Sequence, residues 1–142
     1  MLRTSFISAG RLVRSFSSTP LSYLATKSYK FNDVNDIVSK TLGQKLLIDV
    51  REPEEFAKSS IPTAVNIPVN STPGALSLSA SEFQRIFSFE KPLLQQELVF
   101  FCTSGARASA AAELASSFGY VNTGVYHGSM NEWNEKAAVS TD

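Results

Sequence analysis

Two unbroken apolar runs stand out along the chain. One is Leu46-Leu47-Ile48 within Lys45 to Val50, and the stronger is Leu98 to Phe101. Runs of this length suit strands buried on both faces, as in a parallel sheet. Shorter strands are predicted at 28–31, at Ala64 to Ile67 where Pro68 stops the run, and at Val125-Tyr126. Between them the spacing becomes helical. Asn32 or Asp33 is expected to cap a helix with apolar positions Val34, Ile37, Val38 and Leu42, ended by Gly43. Pro53 opens a short helix, Glu54 to Lys58, whose early acids suit its positive end. Residues 69–79 hold Asn70, Ser71, Pro73 and Gly74 and read as loop. Ser81 is expected to cap a helix through Phe89, with Phe83, Ile86 and Phe87 turned inward. Residues 106–118 are Ala-rich, with Ala111, Leu114, Ala115 and Phe118 on one helical face and Gly119 as the stop. Residues 129–138 form a last helix carrying Trp133. Alternation of this kind predicts an α/β domain: a mainly parallel central sheet of about five strands with helices on both faces. Ligands of such sheets bind beyond the carboxyl ends of the strands.

The length, 142 residues, fits one domain. One cysteine, Cys102, and one histidine, His127, exclude an internal disulfide and make a Cys- or His-based metal site a poor expectation. Apolar runs stay well short of the roughly 18 residues a membrane span needs. No phosphate loop or dinucleotide fingerprint is visible, so no cofactor is expected.

The balance of 13 basic and 13 acidic side chains hides an asymmetry. No acid precedes Asp33, while Arg3, Arg11, Arg14, Lys27 and Lys30 stand among serines and threonines. An Arg-rich, Ser-rich, acid-free start with Leu2, Phe6, Ile7 and Leu12 interspersed is the composition of a mitochondrial transit peptide. Residues 1–27 are therefore expected to be a leader, disordered or cleaved, and residues 28–142 the domain. Arg14-Ser15-Phe16-Ser17 resembles a matrix-protease site. The other reading is a basic tail that binds acidic surfaces. Loss of the leader would leave nine basic and 13 acidic side chains, a net charge of −4. Such a domain has no electrostatic footprint for nucleic acid. An anion site would have to be built locally, from backbone N–H groups and one or two arginines.

The segment Phe101-Cys102-Thr103-Ser104-Gly105-Ala106-Arg107 joins the stronger strand to the Ala-rich helix. A cysteine there sits at a strand's carboxyl end, and Gly105 allows unusual backbone angles. Successive N–H groups can then form a nest at a helix N-terminus, which stabilises a thiolate and also binds an anion. A free cysteine has a pKa of about 8.5, and lowering it by about two units takes about 2.7 kcal/mol. A helix terminus supplies on the order of 0.3–2 kcal/mol, and each hydrogen bond to a charged group roughly 1.5–3 kcal/mol. The loop alone is therefore sufficient, without a histidine. The competing reading of Cys102 is a buried structural thiol.

Four segments in order resemble the rhodanese family. They are Leu47 to Phe56, Ile61 to Pro68, the loop Cys102 to Arg107, and Gly128-Ser129-Met130-Asn131-Glu132-Trp133. The chain is most similar to the single-domain mitochondrial rhodaneses of fungi, which are thiosulfate sulfurtransferases. The resemblance implies that Cys102 attacks the outer sulfur of thiosulfate or another sulfane donor and becomes a persulfide. An external thiol or cyanide then takes the sulfur. It implies that the amides of Thr103, Ser104, Gly105, Ala106 and Arg107 cradle the sulfur and that Arg107 holds the anionic donor. Asp49 would brace the loop, and Arg51 would line or support the pocket. His127 would be a rim residue, Trp133 packing, and Glu54 and Glu55 a solvated helix face. Thr103 stands where many thiosulfate-active loops carry a basic residue, which leaves room for a glutathione persulfide or protein persulfide as donor. With no second cysteine, the acceptor must come from outside, as a small thiol or a protein thiol.

Two alternatives compete. A phosphatase or arsenate reductase of related fold would place five residues between cysteine and arginine, and this loop has only Thr103, Ser104, Gly105 and Ala106. A catalytically weak binding module of rhodanese-like fold would usually lack the cysteine.

Overall fold

The computed structural model describes residues 26–40 and 45–140. Residues 1–25 of the expected leader and the expected helix stop at Leu42 and Gly43 lie outside them. Five strands form the sheet: β1 (Lys27–Tyr29), β2 (Lys45–Asp49), β3 (Val65–Asn66), β4 (Glu97–Phe101) and β5 (Thr123–Tyr126). Their order is β1-β5-β4-β2-β3, and all four pairings are parallel. The helices are α1 (Phe31–Lys40), α2 (Pro53–Lys58), α3 (Ala80–Phe87), α4 (Ala106–Ser117) and α5 (Ser129–Ser140).

Alternating side chains of the central strands divide the core in two. Ile48, Leu98, Phe100 and Val125 pack with Phe83 of α3 and with Ala108, Ala111, Ala112 and Ala115 of α4. Leu47, Val99, Phe101 and Tyr126 pack with Val34 of α1 and with Met130 and Trp133 of α5. Both faces of the sheet are thus covered, which is why β2 and β4 are apolar without alternation. The small alanines of α4 let that helix lie close to the sheet beside the larger Leu98 and Phe100.

Several expected boundaries move, each for a local reason. β1 begins at Lys27, which pairs with Gly124, so the last residue assigned to the leader belongs to the sheet. Asp33 does not cap α1; it sits in the first turn, where its carboxylate accepts from the Lys30 N–H at 2.8 Å. The run at Ala64 to Ile67 keeps only two residues as strand. The 69–79 loop contains a short 3₁₀ turn, Ala75–Ser77. The cap of α3 is Ser79, whose hydroxyl accepts from the Glu82 N–H at 3.3 Å. Both Ser79 and Ser81 stand three residues before a Glu or Gln, so the local signal fits either register. The earlier one ends the helix at Phe87, with Ser88 left-handed at φ +68. Phe89 thereby folds back edge-on to Phe83, with ring centroids 5.2 Å apart. Ile86 is turned outward, 54% exposed, against the expectation that it faces the core, while Phe83 is fully buried. Among the described residues no helix is long and apolar enough to cross a membrane.

Candidate active site

The loops after β2 and β4 meet at the carboxyl edge of the sheet because those strands are neighbours in full register, Lys45 to Asp49 against Glu97 to Phe101. The loop after β4 carries Cys102, and the turn after β2 leads into α2.

Cys102 is only 1% exposed. Burial alone would mark an inert thiol. The surrounding amides argue otherwise. Gly105 donates its N–H to Sγ at 3.0 Å. Desolvation pushes the thiol pKa up, but the amides of Ala108, Gly105, Ser104 and Arg107 together pull it below its usual value. Gly105 is the N-cap of α4 at φ +106 and contributes no capping side chain. The cysteine sulfur takes that place, at the positive end of the helix. The amides around Sγ differ from the expectation: the set reaches one residue further, to Ala108, and the amides of Thr103 and Ala106 are not among those that lower the thiol pKa. Thr103 contributes instead its hydroxyl, which accepts from Arg107 Nη2 at 3.1 Å, and its carbonyl, which accepts from the Asn131 N–H at 3.1 Å.

The start of α5 holds the loop from behind. The Cys102 N–H donates to Ser129 Oγ at 3.1 Å, and that hydroxyl donates to the Tyr126 carbonyl at 2.8 Å. The Met130 N–H meets the Cys102 carbonyl at 2.9 Å. Ser129 is fully buried and left-handed at φ +52. Sequence reasoning assigned Ser129 no role; its only signal was its place beside Gly128. His127 is exposed, and its backbone carbonyl packs against Gly105. Trp133 packs against Phe31, with ring centroids 5.1 Å apart.

The charged residues fall into two pairs. The Asp49 carboxylate is fully buried and accepts twice from Arg51 Nε, at 3.0 and 3.2 Å, and once from Nη2 at 2.9 Å. It also accepts from the Arg51 N–H at 3.0 Å and the Ser60 hydroxyl at 2.7 Å. Arg51 Nη2 reaches on to the Ser59 carbonyl at 2.5 Å. This cluster braces the turn from β2 through α2 rather than the cysteine loop. The Arg51 guanidinium is directed into it, in the supporting part of its expected role rather than the lining part.

Arg107 is bidentate to Glu55, with Nη1 to Oε2 at 2.9 Å and Nη2 to Oε1 at 3.2 Å. Glu55, expected on a solvated helix face, is half-buried and paired, with its side chain 37% exposed. It also accepts from the Glu52 N–H at 3.0 Å, reaching back across the first turn of α2. The Arg107 hydrogen bond, above all, holds its pKa down at about 2 against the cost of burial, helped by the Glu52 amide and the charges of Arg107 and Arg51. Glu54, one residue earlier, is exposed as expected.

A thiol whose pKa is pulled down by surrounding amides, beside an arginine, is a site suited to a nucleophilic sulfur and a small anion. The description Rhodanese-like domain matches residues 33–136. The chain belongs to the rhodanese family. It is 51% identical over 115 residues to the Saccharomyces cerevisiae protein named thiosulfate sulfurtransferase RDL2, mitochondrial, covering 81% of this chain and 77% of that one. It is 44% identical over 107 residues to a thiosulfate:glutathione sulfurtransferase of the same yeast, covering 75% of this chain and 77% of that one. The crystal structure of the yeast single-domain sulfurtransferase RDL2 superposes with a TM-score of 0.77 at 50% identity, over 81% of this chain and 94% of that one.

Proposed function

We propose that this chain is a thiosulfate sulfurtransferase that works through a persulfide on Cys102. The Cys102 thiolate attacks the outer sulfur of thiosulfate or of an organic persulfide. A new S–S bond forms to Cys102, the donor's own bond breaks, and sulfite or the donor thiolate leaves with the electron pair. An external thiolate or cyanide then attacks the terminal sulfur. The Cys102 thiolate is released, and a new persulfide or thiocyanate departs. The observation that carries this reading is the Cys102 sulfur, held by amides at the N-terminus of α4 in a loop with four residues before Arg107. A ring this short suits a sulfur atom better than a phosphate with three bound oxygens.

The amides of Ser104, Gly105, Arg107 and Ala108 hold the ionised sulfur in the free and the sulfurated enzyme. Arg107 orients the anionic part of the donor, and Asp49 and Arg51 brace the turn that carries Glu55 to it. The name of the yeast glutathione-dependent relative supports a small thiol as acceptor, and a protein thiol meets the same chemical need. Residues ahead of β1 form a mitochondrial transit peptide that delivers the domain to the matrix. Their acid-free, Arg-rich composition supports this, as does the mitochondrial name of the 51% identical relative.

Intact mass tests the reading directly. After thiosulfate treatment the wild type should gain one sulfur, about 32 Da, lost again on adding cyanide or a small thiol. Cys102→Ala should show neither the gain nor thiocyanate formation. A fully active Cys102→Ala protein would end the proposal.

A further inference from the structure

The ion pairs at this site carry a consequence for the donor. Arg51, the first of its two arginines, is neutralised by buried Asp49. The second, Arg107, is neutralised by Glu55 through both terminal nitrogens and spends a further N–H on Thr103. A guanidinium has five N–H donors, so among the described residues Nε and one hydrogen of Nη1 stay available to a ligand. The two pairs bring no net charge to the site, and the amides aimed at Sγ supply its positive potential. Thr103 adds none.

Glu55 is not a carboxylate that swings aside freely. Its Oε2 is shared between Arg107 and the Glu52 N–H, in the first turn of α2 where the helix end favours a negative charge. A dianionic donor that engages Arg107 meets this negative charge on the same guanidinium. From these contacts we infer that Glu55 sets donor preference: by holding Arg107 as a neutral pair, it disfavours dianionic thiosulfate relative to sulfane donors of lower charge. The inference rests on the sulfurtransferase reading and makes Glu55 a positioning residue, acting through Arg107.

The test uses two donors with the same reactive sulfur: thiosulfate, a dianion, and methanethiosulfonate, a monoanion. Glu55→Gln keeps an oxygen for the Glu52 amide and for Arg107 but removes the charge. Glu54→Gln, one position away and exposed, removes the same charge without the contact. At low ionic strength kcat/KM for thiosulfate should rise about three- to tenfold in Glu55→Gln, carried by KM, as Coulomb's law gives for one charge several ångströms from a dianion. The gain should be smaller for methanethiosulfonate, should shrink in about 0.5 M salt, and should be absent in Glu54→Gln. No gain, a loss, or an equal gain with both donors overturns the inference. Calorimetry in a Cys102→Ser background reads thiosulfate affinity without turnover: Glu55→Gln should tighten binding there, and unchanged or weaker binding overturns the inference. Wild-type protein that transfers sulfur from neither donor would instead refute the sulfurtransferase reading, with calorimetry still deciding the role of Glu55.

Discussion

The Gly105 N–H lies 3.0 Å from Cys102 Sγ, and the left-handed backbone that aims it, φ +106, leaves no room for a side chain. A Cβ at this position would stand 2.8 Å from the His127 carbonyl oxygen, a backbone atom. Gly105→Ala therefore carries strain on the order of 1–3 kcal/mol and turns the amide away from sulfur. Sulfur transfer should fall by about tenfold or more, and the pH midpoint of thiol alkylation should move up toward that of ordinary cysteine at about 8.5. An unchanged midpoint would show that other amides suffice.

The downward pull on Cys102 has a definite pH signature. Alkylation of the wild-type thiol by iodoacetamide should have its midpoint below about 8.5, and sulfur transfer should decline as pH drops through the same midpoint. Stability follows the same linkage. A folded-state pKa below the unfolded one adds stability that is fully present above the unfolded value and lost as pH falls through the folded value. The stability advantage of wild type over Cys102→Ser in urea should thus shrink with acidification across that window. A difference that grows on acidification would contradict a depressed thiol pKa.

Asp49 and Arg51 form a buried pair, with side chains 0% and 9% exposed. Removing one partner of such a pair costs about 3–5 kcal/mol, because it leaves the other charge buried and uncompensated. Asp49→Ala should lower the urea midpoint by a corresponding amount. A loss of activity with stability intact would mean that Asp49 acts in the chemistry rather than in bracing the turn.

Ser129 ties the loop to β5 through the Cys102 amide and the Tyr126 carbonyl. Ser129→Ala leaves both without this partner in a buried place, at about 1–3 kcal/mol for an unsatisfied group. The melting temperature should fall and kcat should drop more than KM changes, since the hydroxyl positions the cysteine backbone rather than the donor. Unchanged melting temperature and kcat would remove Ser129 from the supporting framework.

The proposed nucleophile was legible in the sequence because everything that defines its setting is local. A buried strand, then a cysteine, a glycine, an arginine and an Ala-rich helix follow one another within a few residues, and helix-end physics acts over that distance. The parallel sheet was legible for a similar reason, since unbroken apolar runs such as Leu98 to Phe101 demand cover on both faces. Helix register was not. Ser79 and Ser81 offer equivalent caps, and the helix that starts at the first of them ends early enough for Phe89 to return onto Phe83. Glu55 and Arg107 lie 52 positions apart, and Ser129 lies 27 beyond Cys102. Glu55 carries no local mark that separates it from Glu54. The chain by itself determined the strands, the proposed nucleophile and the helix-end amides that lower its pKa. The side-by-side placement of β2, β4 and β5 decided which distant carboxylate neutralises Arg107 and which hydroxyl holds Cys102, because contacts between remote segments exist only once the sheet has set their neighbours.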